Sequence, residues 1–375
     1  MEVLHIITGL KKGGAETLLF NLCKFDKQHK HTIISLSNIE DSELPFYYPN
    51  VSVHSLNFPN GRVKILGLYK LYKLIKKIKP NVVQTWMIHA DLIGGIVARF
   101  AGIKNIIWGV HHTVLLRGKV KFSTTLILKF NAFLSRLIPK KIIYCAEKSR
   151  SIQESIGFKK SKGIVIHNGY DLENYLQNDV LRREFRNELN VSENTFVIGH
   201  VGSYDPLKDQ NSLIEALTVL NQKHFNFTAV LVGRNLDNNN NELVSKITDN
   251  GLINRVHLLG IRNDIPSVMN GIDVFMLSSL SEAFPNVLNE AMACGAPCIT
   301  TNVGDASLIV AKTGWIANPK DSRSLADAVI KAADEKKLNN DKWLQRQKDC
   351  RQRIAKNFAL EKMVTRYEEV WSIGD

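Results

Sequence analysis

Short apolar runs rich in β-branched residues alternate along the first half of the chain with longer stretches whose apolar positions recur at helical spacing. The runs predict strands over 3–8, 32–36, 51–55, 82–86, 106–110, 142–145 and 164–166, with helices over 15–25, 65–78 and 92–101 between several of them. That is the βαβ rhythm of a parallel sheet covered on both faces. A polar stretch at 171–195 interrupts it and reads as a connector. The rhythm then restarts, with strands over 196–201, 228–232, 256–259, 274–277 and 298–301 and a helix over 210–220. The fold class is therefore α/β, with two doubly wound Rossmann-like domains joined near 168–175. The expected boundaries are 1–170 and 171–357, followed by a C-terminal helix, 358–375, that crosses back to the first domain.

The remaining bulk features narrow the class. In 375 residues, 44% are hydrophobic and 23% charged, which is ordinary globular composition and argues against long disorder. Five cysteines, an odd number, fit a reducing compartment better than a disulfide framework. No basic segment precedes the first apolar run, so no signal peptide is expected. No run approaches the ~18 uncharged apolar residues of a membrane span. The net charge of +13 is uneven, +17 over 1–170 and −4 over 171–375. Between 61 and 170, 21 Lys and Arg face three acids, Asp91, Glu147 and Glu154. Nucleic acid, an anionic membrane surface or a phosphorylated substrate would each account for such a block, as would a solvated surface kept for solubility.

Candidate chemistry lies at strand ends. Gly13-Gly14-Ala15-Glu16 follows the first strand and opens the first helix, where backbone N–H groups approach an anion, although a tight turn fits equally well. In the segment from Ser281 to Pro297, Pro285 suits the first helical position, and Gly295-Ala296-Pro297 ends the helix. The N–H groups of Asn286, Val287 and Leu288 would then be free for a phosphate. Glu282 lies just outside this helix and Glu290 about a turn inside. Two carboxylates around a helix N-terminus suit a ligand with hydroxyls on either side of a diphosphate; a capped helix with one buried Glu is the alternative. Lys208, near a helix start in Gly202-Ser203-Tyr204-Asp205-Pro206-Leu207-Lys208, makes electrostatic sense with an anion beside it. His111 and His112 follow a strand and are candidate polar or acid–base groups. No His/Cys cluster at ligand spacing accompanies them, so no metal is assigned.

Taken in order, these segments resemble retaining glycosyltransferases of family 4, with the two-domain architecture called GT-B. The resemblance runs over essentially the whole chain. It rests on Gly13 to Glu16, on Gln84-Thr85-Trp86-Met87-Ile88-His89-Ala90-Asp91, on Trp108-Gly109-Val110-His111-His112-Thr113 and on Asn168-Gly169-Tyr170-Asp171. It continues through the Glu-x7-Glu pair Glu282 and Glu290, Val303-Gly304-Asp305 and Thr313-Gly314-Trp315. Capsule and O-antigen members carry the second of these segments. Ser203 stands where the family usually has Arg, and His111 also stands where Arg is common.

The resemblance implies two domains facing each other across a cleft, the first binding the acceptor and the second the nucleotide sugar. It implies retaining, metal-independent transfer of a hexosyl or N-acetylhexosaminyl group from a UDP- or GDP-sugar, with no cofactor. The acceptor would be lipid-linked or an oligosaccharide, in bacterial surface polysaccharide synthesis. His112, Lys208 and Glu282 would be catalytic. Gly14, Ser203, Lys208, Arg234, Ala283, Phe284, Pro285, Asn286, Val287 and Glu290 would bind the donor; Gly13, Glu16 and His111 would bind the acceptor. The basic, amphipathic stretch 117–141 suits an anionic membrane surface. With the resemblance, that favours a lipid-diphosphate-linked sugar as acceptor and a peripheral location on the cytoplasmic face of the inner membrane. Two other functions stay open: a GT-B nucleotide-sugar epimerase, and a non-enzymatic polyanion-binding protein. Nucleic acid is not expected as a partner, because no base-stacking module is present.

Overall fold

The structure, a computed structural model, describes residues 1–10, 13–39, 48–58, 65–111 and 122–373. The chain divides into two compact units, Met1–Gly169 with Leu360–Asp375, and Tyr170–Ala359.

In the first unit the elements run β1 (Glu2–Ile7), α1 (Gly14–Phe25), β2 (Lys30–Ser35), β3 (Val51–Ser55), α2 (Ile65–Ile78), β4 (Val82–Trp86), α3 (Ile88–Phe100), β5 (Ile106–Val110), α4 (Phe122–Leu134), β6 (Lys141–Tyr144), α5 (Glu147–Ile156) and β7 (Gly163–Val165). The strands form one parallel sheet in the order β3-β2-β1-β4-β5-β6-β7. Strand alternation sorts the side chains of β1: Leu4 and Ile6 join one core with residues of α2, α3 and α4, while Val3 and Ile7 face α1 on the other side. The order reverses between β1 and β4, and the loops at their carboxyl ends open there.

His5 lies between Val3 and Ile7, on a face that is otherwise apolar. Both of its ring nitrogens find polar partners inside the core. The Trp86 indole N–H donates to His5 Nδ1 at 3.1 Å. Indole nitrogen can only donate, so His5 carries its proton on Nε2, which meets His31 Nδ1 at 2.9 Å. His31 Nε2 in turn faces Asp26 Oδ2 at 3.2 Å. Burial opposes ionisation of Asp26, yet contacts from His31, the Gln28 N–H and His29 hold its carboxyl well below the usual range.

The second unit contains α6 (Asp179–Glu188), β8 (Phe196–Val201), α7 (Gln210–Gln222), β9 (Phe227–Val232), α8 (Asn241–Asp249), β10 (Val256–Gly260), α9 (Ile265–Gly271), β11 (Val274–Leu277), α10 (Asn286–Ala293), β12 (Cys298–Thr301), α11 (Ala306–Val310), β13 (Trp315–Ala317), α12 (Ser322–Leu338) and α13 (Asn340–Phe358). Its parallel sheet runs β10-β9-β8-β11-β12-β13 and reverses between β8 and β11. Helix α6 occupies the stretch read as a polar connector. The Asn178 side chain caps it by accepting from the N–H groups of Val180 and Leu181. The helix buries Phe185 and Arg186, and Arg186 donates to carbonyls of Gly271, Ser192 and Thr195 and pairs with Asp273.

The last helix, α14 (Leu360–Ser372), belongs to the first unit. Its buried Leu360, Met363, Val364, Tyr367, Val370 and Trp371 form one helical stripe, which completes the core around Val3, Ile7 and Trp86. Trp371 packs against His5 and His31, and Tyr367 stacks on Trp86.

Candidate functional site

In the second unit the predicted residues gather at the carboxyl ends of β8 and β11, where the sheet order reverses. The loop after β8 carries Ser203 and Lys208. The loop after β11 carries Ser278, Ser279 and Glu282. Each loop is stapled to the other by the backbone: the Leu280 N–H donates to Leu207 O at 2.7 Å, and Ser278 Oγ donates to Lys208 O at 2.8 Å. Lys208 Nζ reaches Glu282 Oε1 at 2.7 Å. Ser279 Oγ donates to the same oxygen at 2.6 Å. The sequence places Lys208 at a phosphate and Glu282 at a sugar; in the structure they form an ion pair. Ser279 was not anticipated, although its three-residue spacing from Glu282 is visible in hindsight.

Neighbouring loops hold this pair in place. Gly304 sits at φ 52, and a Cβ there would collide with the carbonyls of Glu282 and Ala283. The Asp305 N–H donates to Ala283 O at 3.0 Å. A Cβ on Gly233 would likewise strike the Gly202 carbonyl, so the loops after β8 and β9 pack backbone to backbone. The Tyr204 N–H donates to Arg234 O at 2.9 Å, which sets Arg234 beside the Ser203 loop with its side chain exposed. His200 donates through Nδ1 to Met276 O at 3.0 Å, and burial lowers its pKa to about 4, with Lys208 acting in the same direction.

Helix α10 begins one residue later than predicted, at Asn286, with Pro285 as its N-cap. Of the three N–H groups expected to be free, that of Leu288 is taken by Pro285 O at 3.2 Å, a contact that closes the first turn. The Asn286 side chain accepts from the Tyr170 hydroxyl at 2.6 Å. Phe284 is buried against Phe358. Glu290, on α10, shows no hydrogen-bond or ion-pair partner for its carboxylate among the described residues, and burial pushes its pKa up to about 7. Tyr175 and Cys294 lie close enough to feel its charge.

In the first unit, Gly13 is the N-cap of α1 in extended conformation, and Gly14 is the first helical residue. Gly13 O accepts from both the N–H and the hydroxyl of Thr17. Burial raises the pKa of Glu16. His111 follows β5 and stacks on Trp86, with centroids 4.8 Å apart and planes at 13°. Beside them Asp91 is buried, accepts from Thr85 Oγ1 at 2.6 Å, and has its pKa raised to about 8 by that burial. His112 lies outside the described residues, as do Arg117, Lys119 and Lys121.

Comparison with known proteins gives the site its context. Residues 12–174 match the family described as Glycosyltransferase Family 4, and residues 182–349 match Glycosyl transferases group 1. The chain is similar to the UDP-Gal:alpha-D-GlcNAc-diphosphoundecaprenol alpha-1,3-galactosyltransferase of Escherichia coli, at 29% identity over 318 residues, 81% of this chain and 78% of that protein. It is also similar to the capsular polysaccharide biosynthesis glycosyltransferase CapM of Staphylococcus aureus, at 27% identity over 292 residues, 72% of each. Among solved structures, HepE from Anabaena in complex with UDP superposes with a TM-score of 0.85 at 24% identity, over 99% of this chain and 100% of that one. The parallel sheets, their reversal points and the two matched families agree: the chain carries a family 4 domain followed by a group 1 domain and is a glycosyltransferase of the family 4, GT-B type.

Proposed function

We propose that this glycosyltransferase transfers a sugar from a UDP-sugar, with retention at the anomeric carbon and without a metal, to a lipid-diphosphate-linked acceptor. The observation that carries the reading is the Lys208–Glu282 pair at the carboxyl ends of β8 and β11, on the loop that leads into the N-terminus of α10. Lys208 and the N–H groups of Asn286 and Val287 suit a diphosphate leaving group, whose charge must be stabilised as it develops. Glu290 lacks a cation and suits the ribose hydroxyls as donors. Glu282, with Ala283 and Phe284, suits the sugar. No side chain among the described residues is assigned as a nucleophile. The leaving phosphate oxygen would take the acceptor proton on the same face as the attack, which accounts for retention. Gly13, Glu16, His111 and His112 are assigned to the acceptor side.

The relative from E. coli supports UDP and a diphosphoundecaprenol acceptor, since its name specifies both. Incubating the protein with a panel of UDP- and GDP-sugars and a polyprenyl-diphosphate-linked monosaccharide tests the proposal. A single UDP-sugar is expected to give product with an α linkage. Free epimerised sugar nucleotide without acceptor would instead support the epimerase alternative.

Membrane attachment is proposed to be peripheral. No helix among the described residues is long and apolar enough to cross a bilayer. Leu126, Phe130, Phe133 and Leu137, at 48–64% exposure, form one outward stripe along α4 and the turn after it, with Lys129, Arg136 and Lys140 nearby in sequence. Apolar residues at that spacing suit the acyl boundary, and the cations suit anionic headgroups. Changing Phe130, Phe133 and Leu137 together to Ser should abolish sedimentation with anionic vesicles. Wild type should also be released at 1 M salt, where screening shortens to about 3 Å. Equal binding of both proteins to neutral and anionic vesicles would overturn it.

A further inference from the structure

The pairing of Lys208 with Glu282 carries a consequence that rests on the donor-site reading above. A diphosphate that reaches Lys208 has to compete with a carboxylate already there. That carboxylate is not a stray surface group. Its side chain is 12% exposed, Ser279 Oγ donates to the bonded oxygen at 2.6 Å, and the two loops are tied through Leu207 O and Lys208 O. Among the described residues Lys208 has no other acid partner, and Ser203, Gln210 and His200 around it supply none: Gln210 Nε2 donates to Ser203 O, and His200 is held neutral by burial. The ammonium is therefore shared between an internal anion and the incoming one.

We infer that Glu282 is a specificity-determining residue that exchanges partners, so that Lys208 favours the intact donor over the spent nucleotide. When a nucleotide sugar binds, the diphosphate takes Lys208 and the released Glu282 carboxylate accepts from the sugar hydroxyls. Both charges keep partners. When the nucleoside diphosphate is left alone after transfer, holding it on Lys208 strands a poorly hydrated carboxylate with only Ser279. A buried charge deprived of its partner is costly. Re-pairing of Glu282 with Lys208 removes that cost and drives the product out. No covalent step is involved.

Calorimetric titration of UDP and of uridine into wild type, Glu282→Gln, Lys208→Ala and the double variant tests this. Glutamine keeps the shape of the side chain and still accepts from Ser279. Glu282→Gln is expected to tighten UDP binding about tenfold, the scale of one charge-assisted hydrogen bond. Uridine affinity should not change, because uridine has no phosphate to bring to Lys208; it also reports that the variant is folded. In the Lys208→Ala background, Glu282→Gln should have no effect on UDP. During turnover the Glu282→Gln enzyme should show stronger inhibition by UDP together with a lower kcat. Equal UDP affinity of wild type and Glu282→Gln overturns the exchange, as does an effect that persists without Lys208. Glu290→Gln in the same titration separates the two readings: if it leaves UDP affinity untouched, the donor site itself is misplaced.

Discussion

Replacing Glu290 with glutamine is expected to weaken UDP binding by roughly ten- to a hundredfold while making the free protein more resistant to denaturant above pH 7. The loss follows from removing a charged acceptor from two ribose hydroxyls, on the order of 1.5–3 kcal/mol. The gain follows from the same desolvation that raises the pKa from 4.5 to about 7. Below about pH 4.5 the carboxyl is protonated in both folded and unfolded chains and costs nothing. Between about pH 4.5 and 7 the unfolded chain ionises while the folded carboxyl stays protonated, so stability is lost across that window and levels off above it. Glutamine escapes that cost, on the order of 3 kcal/mol at pH 8. Denaturant midpoints of the two proteins should therefore coincide below about pH 4.5, separate progressively up to about pH 7 and stay apart above it. A ligand that donates hydroxyls favours the carboxylate, so the variant should also flatten the rise of UDP affinity through neutral pH. Coincident midpoints at pH 8 would mean that Glu290 is not desolvated, and unchanged UDP affinity would remove it from the nucleotide site.

Lys208→Ala is expected to reduce turnover by about a hundred- to a thousandfold, as for the loss of one stabiliser of developing charge. Its effect on UDP binding should be smaller, since in the wild type part of the lysine's interaction energy is already spent on Glu282. Ser203 offers no cation to share the load. Arg234, exposed and tied by its carbonyl to the Ser203 loop, is a candidate substitute. Turnover of Lys208→Ala, Arg234→Ala and the double variant separates the possibilities. Strong non-additivity would place both cations on one diphosphate. A silent Arg234→Ala would leave Lys208 as the only cation acting there. Full activity in Lys208→Ala would remove the donor site from this loop.

Much of this was legible in the chain because periodicity and loop chemistry are local. Strands such as 51–55, 82–86, 106–110, 196–201 and 274–277 fall where the apolar runs place them. Helix α6 was hidden by its composition: Phe185 is its one buried apolar residue, and Arg186 ties it to the Gly271 carbonyl, 85 positions along the chain, which no window of sequence displays. Strand β13, three residues at an edge, is too short to carry a period. At the site, residue types and loops were readable, but partners were not. Lys208 and Glu282 are 74 positions apart, and their bond depends on how two loops register across adjacent strands. The loss of the Leu288 N–H to Pro285 likewise depends on a one-residue shift in where α10 begins. The Trp86–His5–His31–Asp26 chain joins three separate parts of the sequence, and each member looks like an ordinary strand or turn residue by itself.

The position of α14 sets an order of assembly on the ribosome. The second unit is one unbroken stretch, 170–359, whereas the first is finished only by residues after 359. While the chain is being made, the face of the sheet bearing Val3, Ile7, Trp86 and Ile107 leaves the exit tunnel without the helix that covers it. Another 190 residues, counted from 170 to 359, must be synthesised before that helix exists. At ordinary elongation rates this takes roughly 10–40 s. The usual vectorial sequence, amino-terminal domain first, is thereby reversed for final consolidation. The earlier-made half waits as an incompletely roofed sheet, exposed to chaperones and to its own neighbours on the polysome, until the later-made half has passed.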